Sequence, residues 1–273
     1  MSERLVSVPG GRLEVHDFGS GPPIVLLHAG IVDSWAWEPL TPFLLDAGYR
    51  VVAFDRRGTG GSTTEDVEFS HRADTVAVLD ALGFGQAVLV GNSVGGQIAL
   101  DTAIEFPGRV SALVIIGALV PDHWPGMTAE EEAIEAELEA ADESGDPEAR
   151  ADADVRTWVD GPGQLPTRVP EDIRELVREM DRVISEPGRE HGRSVRLQPP
   201  ASEQLERLTM PVLAVCGELD FSYHLEATEY LAASVPTASA AIIPGVAHLP
   251  GLEAPEELAG RITDFLASSP RLD

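Results

Sequence analysis

The stretch Val88–Leu100 (VLVGNSVGGQIAL) constrains this chain more than any other. A β-branched apolar run stops at Gly91, and a helical pattern restarts through Ile98, Ala99, Thr102, Ala103 and Phe106, with Ser93 at the break. Within it lies Gly91-x-Ser93-x-Gly95, the pattern of a sharp strand-to-helix turn that exposes a serine hydroxyl above a sheet edge. The serine at the apex is held in an unfavourable backbone conformation, and strand and helix pass too close on either side to admit a Cβ. The same turn aims the Val94 N–H, at the start of the new helix, at the space where an oxyanion would form. A tight βα turn that merely contains serine is the bland alternative. The apolar strand before and the helix after favour the elbow.

Strands and helices alternate around this elbow. Residues 4–8 and 12–18 alternate in polarity about Pro9-Gly10-Gly11, as an antiparallel hairpin would. Runs 23–28 and 50–55 lack polar alternation and predict strands buried on both faces. A helix is expected to end near Gly48, and another to span about 70–82. After the elbow helix comes the apolar strand 110–116, and then the rhythm changes. No buried strand is evident from about 121 to 208. A capping box at Thr128–Glu131 opens an acidic helix whose narrow apolar stripe is Ile134 and Leu138, and whose run 130–143 reads as a solvated face. Further helices are expected near 152–159 and 171–184. Strand 211–216, a helix near 224–234, strand 239–243 and a last helix at about 256–267 resume the alternation. The expected fold is α/β, a mostly parallel sheet with helices on both faces. Its core is 1–120 plus 209–273, and 121–208 forms an inserted helical cap.

A serine near neutral pH needs a base, and the base needs a group that orients it. Strand 211–216 runs into Gly217-Glu218-Leu219-Asp220, and strand 239–243 runs into Gly245-Val246-Ala247-His248, so a carboxylate and an imidazole are delivered to one sheet edge. Serine, acid, histidine is the chain order of one known triad class. Asp122, in the loop after strand 110–116, is a rival for the acid.

Other chemistries find no support. All 19 basic residues are arginine, which removes Schiff-base, pyridoxal-phosphate and P-loop lysine roles. The only cysteine, Cys216, sits inside an apolar strand, so no disulfide framework or Cys-rich metal site is available. There is no H-E-x-x-H or EF-hand spacing, and neither a metal nor a cofactor is expected. A net charge of −27 argues against nucleic acid or an anionic membrane as partner. Neither a leader pattern nor an apolar run of membrane-spanning length is visible, so a cytoplasmic protein acting on a small molecule is expected, its oligomeric state open.

On these residues the chain resembles the α/β-hydrolase superfamily, in particular its small cap-bearing serine hydrolases, which include carboxylesterases, enol-lactonases and C–C bond hydrolases. The pieces that carry the resemblance are His28-Ala29-Gly30, the turn Asp55–Ser62, the elbow 91–96, the Gly217–Asp220 loop and the His248 loop, so it covers nearly the whole chain. It implies Ser93 as nucleophile, His248 as base, Asp220 as its orienter, and the Gly30 and Val94 N–H groups as oxyanion hole. The chain departs from the family's His-Gly pair at His28-Ala29, which makes Gly30 the less secure donor. The implied activity is hydrolysis of a small ester or lactone. C–C cleavage of a diketone-like substrate and ligand binding without turnover are the alternatives. Epoxide and haloalkane relatives carry aspartate where Ser93 stands. Trp35, His123, Trp124, Trp158, Phe221, His224 and Leu249 are candidates for the substrate pocket, while His16, His28, His71 and His191 read as structural.

Overall fold

A computed structural model describes residues 2–186 and 188–269. Eleven strands and nine helices are found among them. The strands are β1 (Ser2–Val8), β2 (Gly11–Phe18), β3 (Pro23–Leu27), β4 (Arg50–Phe54), β5 (Thr63–Thr64), β6 (Glu68–Phe69), β7 (Ala87–Asn92), β8 (Val110–Ile116), β9 (Arg193–Ser194), β10 (Val212–Gly217) and β11 (Ala238–Ile243). The helices are α1 (Thr41–Asp46), α2 (His71–Leu82), α3 (Val94–Glu105), α4 (Ala129–Glu143), α5 (Pro147–Asp154), α6 (Glu171–Ile184), α7 (Ser222–Ser234), α8 (Pro250–Glu253) and α9 (Pro255–Ser268). The main sheet runs β1-β2-β4-β3-β7-β8-β10-β11. It is parallel from β4 to β11, and the hairpin β1–β2 closes one edge antiparallel.

The unbroken apolar runs are explained by two cores, because successive side chains of a strand point to opposite faces. In β3, Val25 and Leu27 enter one core with Ile98, Ala103 and Ile104 of α3. Ile24 and Leu26 enter the other, with Leu44 of α1 and Leu258 and Ile262 of α9. Each such fully buried aliphatic contributes roughly 1.5–3 kcal/mol relative to an exposed one, which fixes strand register on both faces at once.

Between β8 and β10 the chain leaves the sheet for three helices. The capping box at Thr128 and Glu131 forms as the sequence predicts. The helix expected at 152–159 begins earlier, at Pro147, capped by Asp146, and ends as a wide π turn, Val155–Asp160. The proline and its cap set the start, and a strict 3.6-residue count misplaces the rest. A third apolar cluster joins Val155, Val159, Val177 and Met180 of this segment to Val32, Leu249 and Leu252 of the core loops. The segment returns through the parallel pairing of β6 with β9. The helix expected to end near Gly48 is the short α1, and the stretch before it carries a 3-10 turn, Ser34–Trp37. No helix among the described residues is long and apolar enough to cross a membrane.

Candidate active site

Ser93 stands between β7 and α3 with φ +54° and ψ −119°, a conformation L-residues avoid. Its N–H donates to the Ile116 carbonyl at 2.8 Å, which ties the turn to the neighbouring strand. A Cβ on Gly91 would collide with the Gly95 carbonyl, and one on Gly95 with the Leu27 carbonyl. The close approach read from the sequence is therefore the physical reason for both glycines.

The loops after β10 and β11 are zipped together. Leu219 N–H donates to the Val246 carbonyl at 2.9 Å, and Glu218 N–H to Ile243 at 2.9 Å. Across this zip Asp220 Oδ2 accepts from His248 Nδ1 at 2.7 Å, both side chains being buried. Asp220 Oδ1 accepts from Phe221 N–H at 2.8 Å and from His224 Nδ1 at 2.9 Å. Burial alone would raise the Asp220 carboxyl, but the neighbouring His248 and then His224 outweigh it and hold the group well below the ordinary carboxylate range. Burial, reinforced by the Asp220 charge, pushes the adjacent Cys216 thiol far up, so it stays protonated and contributes no thiolate.

Four further residues shape this corner and were not singled out from the sequence. Asn92 Nδ2 donates to the carbonyls of Ile116 (3.2 Å) and His248 (3.1 Å), clamping the histidine loop to the elbow. Glu253 accepts from the N–H groups of Ala247 (3.1 Å) and Leu249 (3.3 Å), and Arg168 pairs with it at 2.6 Å. Gly117, at φ +50°, lies so close that a Cβ there would come within 3.0 Å of Asp220 Oδ2 and 3.2 Å of His248 Nδ1. The Asn beside Ser93 and the Gly just past strand 110–116 are the visible signals. Nothing local in the sequence marks Glu253 or Arg168.

Ser93, Val94, His248, Ala29 and Gly30 line one cavity of about 720 Å³. Gly30 lies opposite Val94, whose Cγ2 would sit 3.7 Å from a Gly30 Cβ. The loop carrying Gly30 is anchored by His28, whose Nδ1 donates to the Ala29 carbonyl (2.8 Å) while Nε2 accepts the Arg56 N–H (3.1 Å). Burial and then the Arg56 charge hold this imidazole well below its usual range and so neutral. The Asp55–Ser62 turn is structural: the Asp55 carboxylate accepts from the N–H groups of Ser34 (2.9 Å) and Gly61 (2.8 Å).

Of the seven pocket candidates, Trp158 reaches this cavity. It sits on the π turn, 4.7 Å from the His248 ring, its Nε1 donating to Asp154 at 2.9 Å. Four of the other six are corrected by the structure, and two line a neighbouring cavity. Phe221 is fully buried beneath Trp158, because it precedes α7 and packs inward. His224 is not at a pocket mouth; it lies buried against Asp220. Leu249 packs downward into the apolar cluster with Val32 and Val155. Trp35 packs against His16, the rings tilted and 4.5 Å apart, outside the cavity. His123, stacked on Tyr230, and Trp124, tilted against Tyr223, line a second cavity of about 800 Å³ that shares Val94 with the first. Asp122 lines that second cavity too, so the rival acid is not beside His248. The run 130–143 presents a largely exposed face, as expected, and Glu132, Glu135, Leu138, Glu139 and Asp142 of α4 also overlook the Ser93 cavity. Their i, i+3, i+7 and i+10 spacing puts the four acids on one face.

Among the described residues, two clusters carry metal-ligand residue types. In one, Asp220, His224 and His248 bring ligand atoms within 4.8 Å of one another, but both Nδ1 atoms are committed to the carboxylate. Glu14, His16 and Asp55 form the other, and Asp55 is engaged by its turn.

An alignment of 125 positions, covering 42% of this chain and 43% of the other, is 41% identical to 2-hydroxymuconate semialdehyde hydrolase of Pseudomonas sp. (strain CF600). The curated relatives matched are covered over 20% to 43% of their length. Among solved structures, an esterase from Rhodococcus sp. ECU1013 superposes with a TM-score of 0.77 at 25% identity, over 99% of this chain and 100% of that one. An N-acyl homoserine lactone degrading enzyme superposes at 0.74 and 25% identity, over 96% and 100%. The family model for the alpha/beta hydrolase fold matches residues 22–255. With its sheet order, its strained serine elbow and a match across most of its length, this chain belongs to the alpha/beta hydrolase fold family.

Proposed function

We propose that the protein is a cofactor-independent serine hydrolase of small esters or lactones. The observation that carries this reading is the Asp220–His248 hydrogen bond of 2.7 Å beside a cavity that His248 shares with the strained Ser93. His248 takes the Ser93 proton as Oγ attacks the carbonyl carbon. The oxyanion is received by the Val94 and Gly30 N–H groups. His248 then gives the proton to the leaving alcohol, water is activated in the same way, and the acyl-enzyme is hydrolysed. Asp220, ionised across the working pH range, keeps the His248 proton on Nδ1 and stabilises the imidazolium as it forms. Segment 121–208 acts as a cap, with Trp158 and the inward face of α4 closing the cavity over Ser93. Esterase and lactone-degrading neighbours support the substrate class.

C–C bond cleavage on the same residues is the second reading, favoured by the likeness to 2-hydroxymuconate semialdehyde hydrolase. A p-nitrophenyl ester and lactone panel, run beside a vinylogous diketone, separates the two. The expected result is turnover of short neutral esters, serine-directed fluorophosphonate labelling, and loss of essentially all turnover in Ser93→Ala with the fold retained. Labelling without turnover of any panel member would instead indicate a ligand-binding receptor.

A further inference from the structure

We propose that His224 is a positioning residue for the same machinery: it locks the Asp220 carboxylate so that one oxygen stays on His248. This rests on the acyl-transfer reading above. A triad carboxylate has two oxygens and a soft terminal torsion, and only one oxygen can serve the base at a time. Here Oδ2 accepts from His248, while Oδ1 is held by two donors, the Phe221 N–H and His224 Nδ1. Turning the carboxylate would break all three bonds in a buried site, where an unmade bond to a charged group costs most.

His224 is itself immobilised. It stands in the first turn of α7, four residues past Asp220, and its ring lies between Tyr223 at 4.5 Å, edge-on, and His248 at 4.7 Å, stacked. The ionisable groups around it are Asp220, His248, Tyr223, Cys216 through Asp220, and Glu135 of α4, which accepts from the Tyr223 hydroxyl at 2.8 Å. Burial pushes its pKa down against the pull of Asp220. A neutral donor fixes the carboxylate without cancelling its charge, which stays available to the His248 imidazolium that forms during proton transfer. A cationic His224 would compete for that charge.

The test compares His224→Phe, which keeps aromatic volume but removes the donor, with His224→Asn, whose side-chain amide can restore one. Two quantities are measured: kcat and KM on a neutral p-nitrophenyl ester, and the downfield imidazole N–H resonances by proton NMR. In His224→Phe, kcat is expected to fall about tenfold or more with KM nearly unchanged. One of the two carboxylate-bound N–H resonances disappears, and the remaining His248 resonance moves or broadens as its partner is freed. His224→Asn regains most of the kcat. Equal kcat loss in both variants with an unmoved His248 resonance would overturn the proposal and leave His224 a packing residue, as would a His224→Phe protein identical to the parent. If His224→Phe does not fold, His224→Asn decides: near-parent kcat supports the donor role, and a hundredfold loss overturns it. Should the parent turn over no ester, the acyl-transfer reading fails, while the resonances still decide whether His224 and His248 are coupled through Asp220.

Discussion

Asp220 is the residue on which the candidate site turns, because its carboxylate serves the base, its own loop and a second imidazole simultaneously. Asp220→Asn is expected to lower kcat by about 10⁴, the loss seen when a triad's orienting acid is neutralised and its base takes the wrong tautomer. Asp122→Asn should change kcat by no more than a few-fold, since Asp122 faces the second cavity. A reversed ranking of the two variants would reassign the acid. Gly117→Ala adds a methyl against the Asp220–His248 bond at a position with φ +50°. It should lower kcat at least about tenfold and cost about 1 kcal/mol of stability, read as the urea midpoint. Ser93, Asp220 and His248 are legible in the sequence because each directly follows an apolar run, so position along a strand reveals position at the sheet edge. Gly117 and Asn92 are marked locally only by their places at strand ends, while the partners they touch lie at the far end of the chain. His224 lies between: its i, i+4 spacing from Asp220 was visible, but whether the ring turned to the cavity or to the carboxylate depended on how α7 docks.

At the scale of elements, the sheet is legible and the packing of the inserted helices α4, α5 and α6 is not. Strands buried on both faces have an unmistakable composition, whereas α4, α5 and α6 carry few apolar residues, and the small third cluster draws on α6 and the π turn rather than on α4 or α5. Trp124 and Trp158 looked equivalent in the sequence. The π turn aims Trp158 at His248, while Trp124 packs on Tyr223 beside the second cavity. Trp158→Ala should therefore change the ranking of acyl chain lengths in kcat/KM, and Trp124→Ala should leave that ranking as it is. The α5–α6 contact also sets a pH dependence. Asp181, 1% exposed with neither oxygen in a good hydrogen bond, faces Asp154. Burial first, and the Asp154 charge second, push its carboxyl up to about 8. Unfolded, the group titrates near 3.9, so between about pH 4 and 8 the native state holds a proton that the unfolded chain has released, and stability falls as pH rises through this window. Asp181→Asn removes this term. It should melt higher than the parent at pH 8.5, by about 2 °C or more, with the gap closing towards pH 5. Equal melting temperatures at both pH values would mean that Asp181 does not titrate in this window.

Over the whole molecule, 46 acidic residues face 19 arginines. A net charge of −27 sets a field that repels anions from every direction. The mouth of the Ser93 cavity continues that field rather than relieving it. Glu132, Glu135, Glu139 and Asp142 line it from α4, and Arg150, the one arginine among the described residues that line it, is already paired with Asp142 and Asp154. An anionic substrate thus meets repulsion both on approach and at the mouth, and no unpaired arginine among the described lining residues receives it. For two p-nitrophenyl esters of equal length, one neutral and one ending in a carboxylate, kcat/KM should be lower for the anion at low ionic strength. Most of the deficit should appear in KM, because the repulsion acts on encounter and binding before any bond changes. Raising the salt from about 10 mM to about 1 M shortens the screening length from roughly 30 Å to roughly 3 Å, which removes the distant part of the field. The gap between the two esters should then narrow several-fold while the neutral ester's kcat/KM changes little. A gap that does not respond to salt would locate the discrimination in close contacts inside the cavity, and no gap at all would mean that the acidic face of α4 does not govern entry.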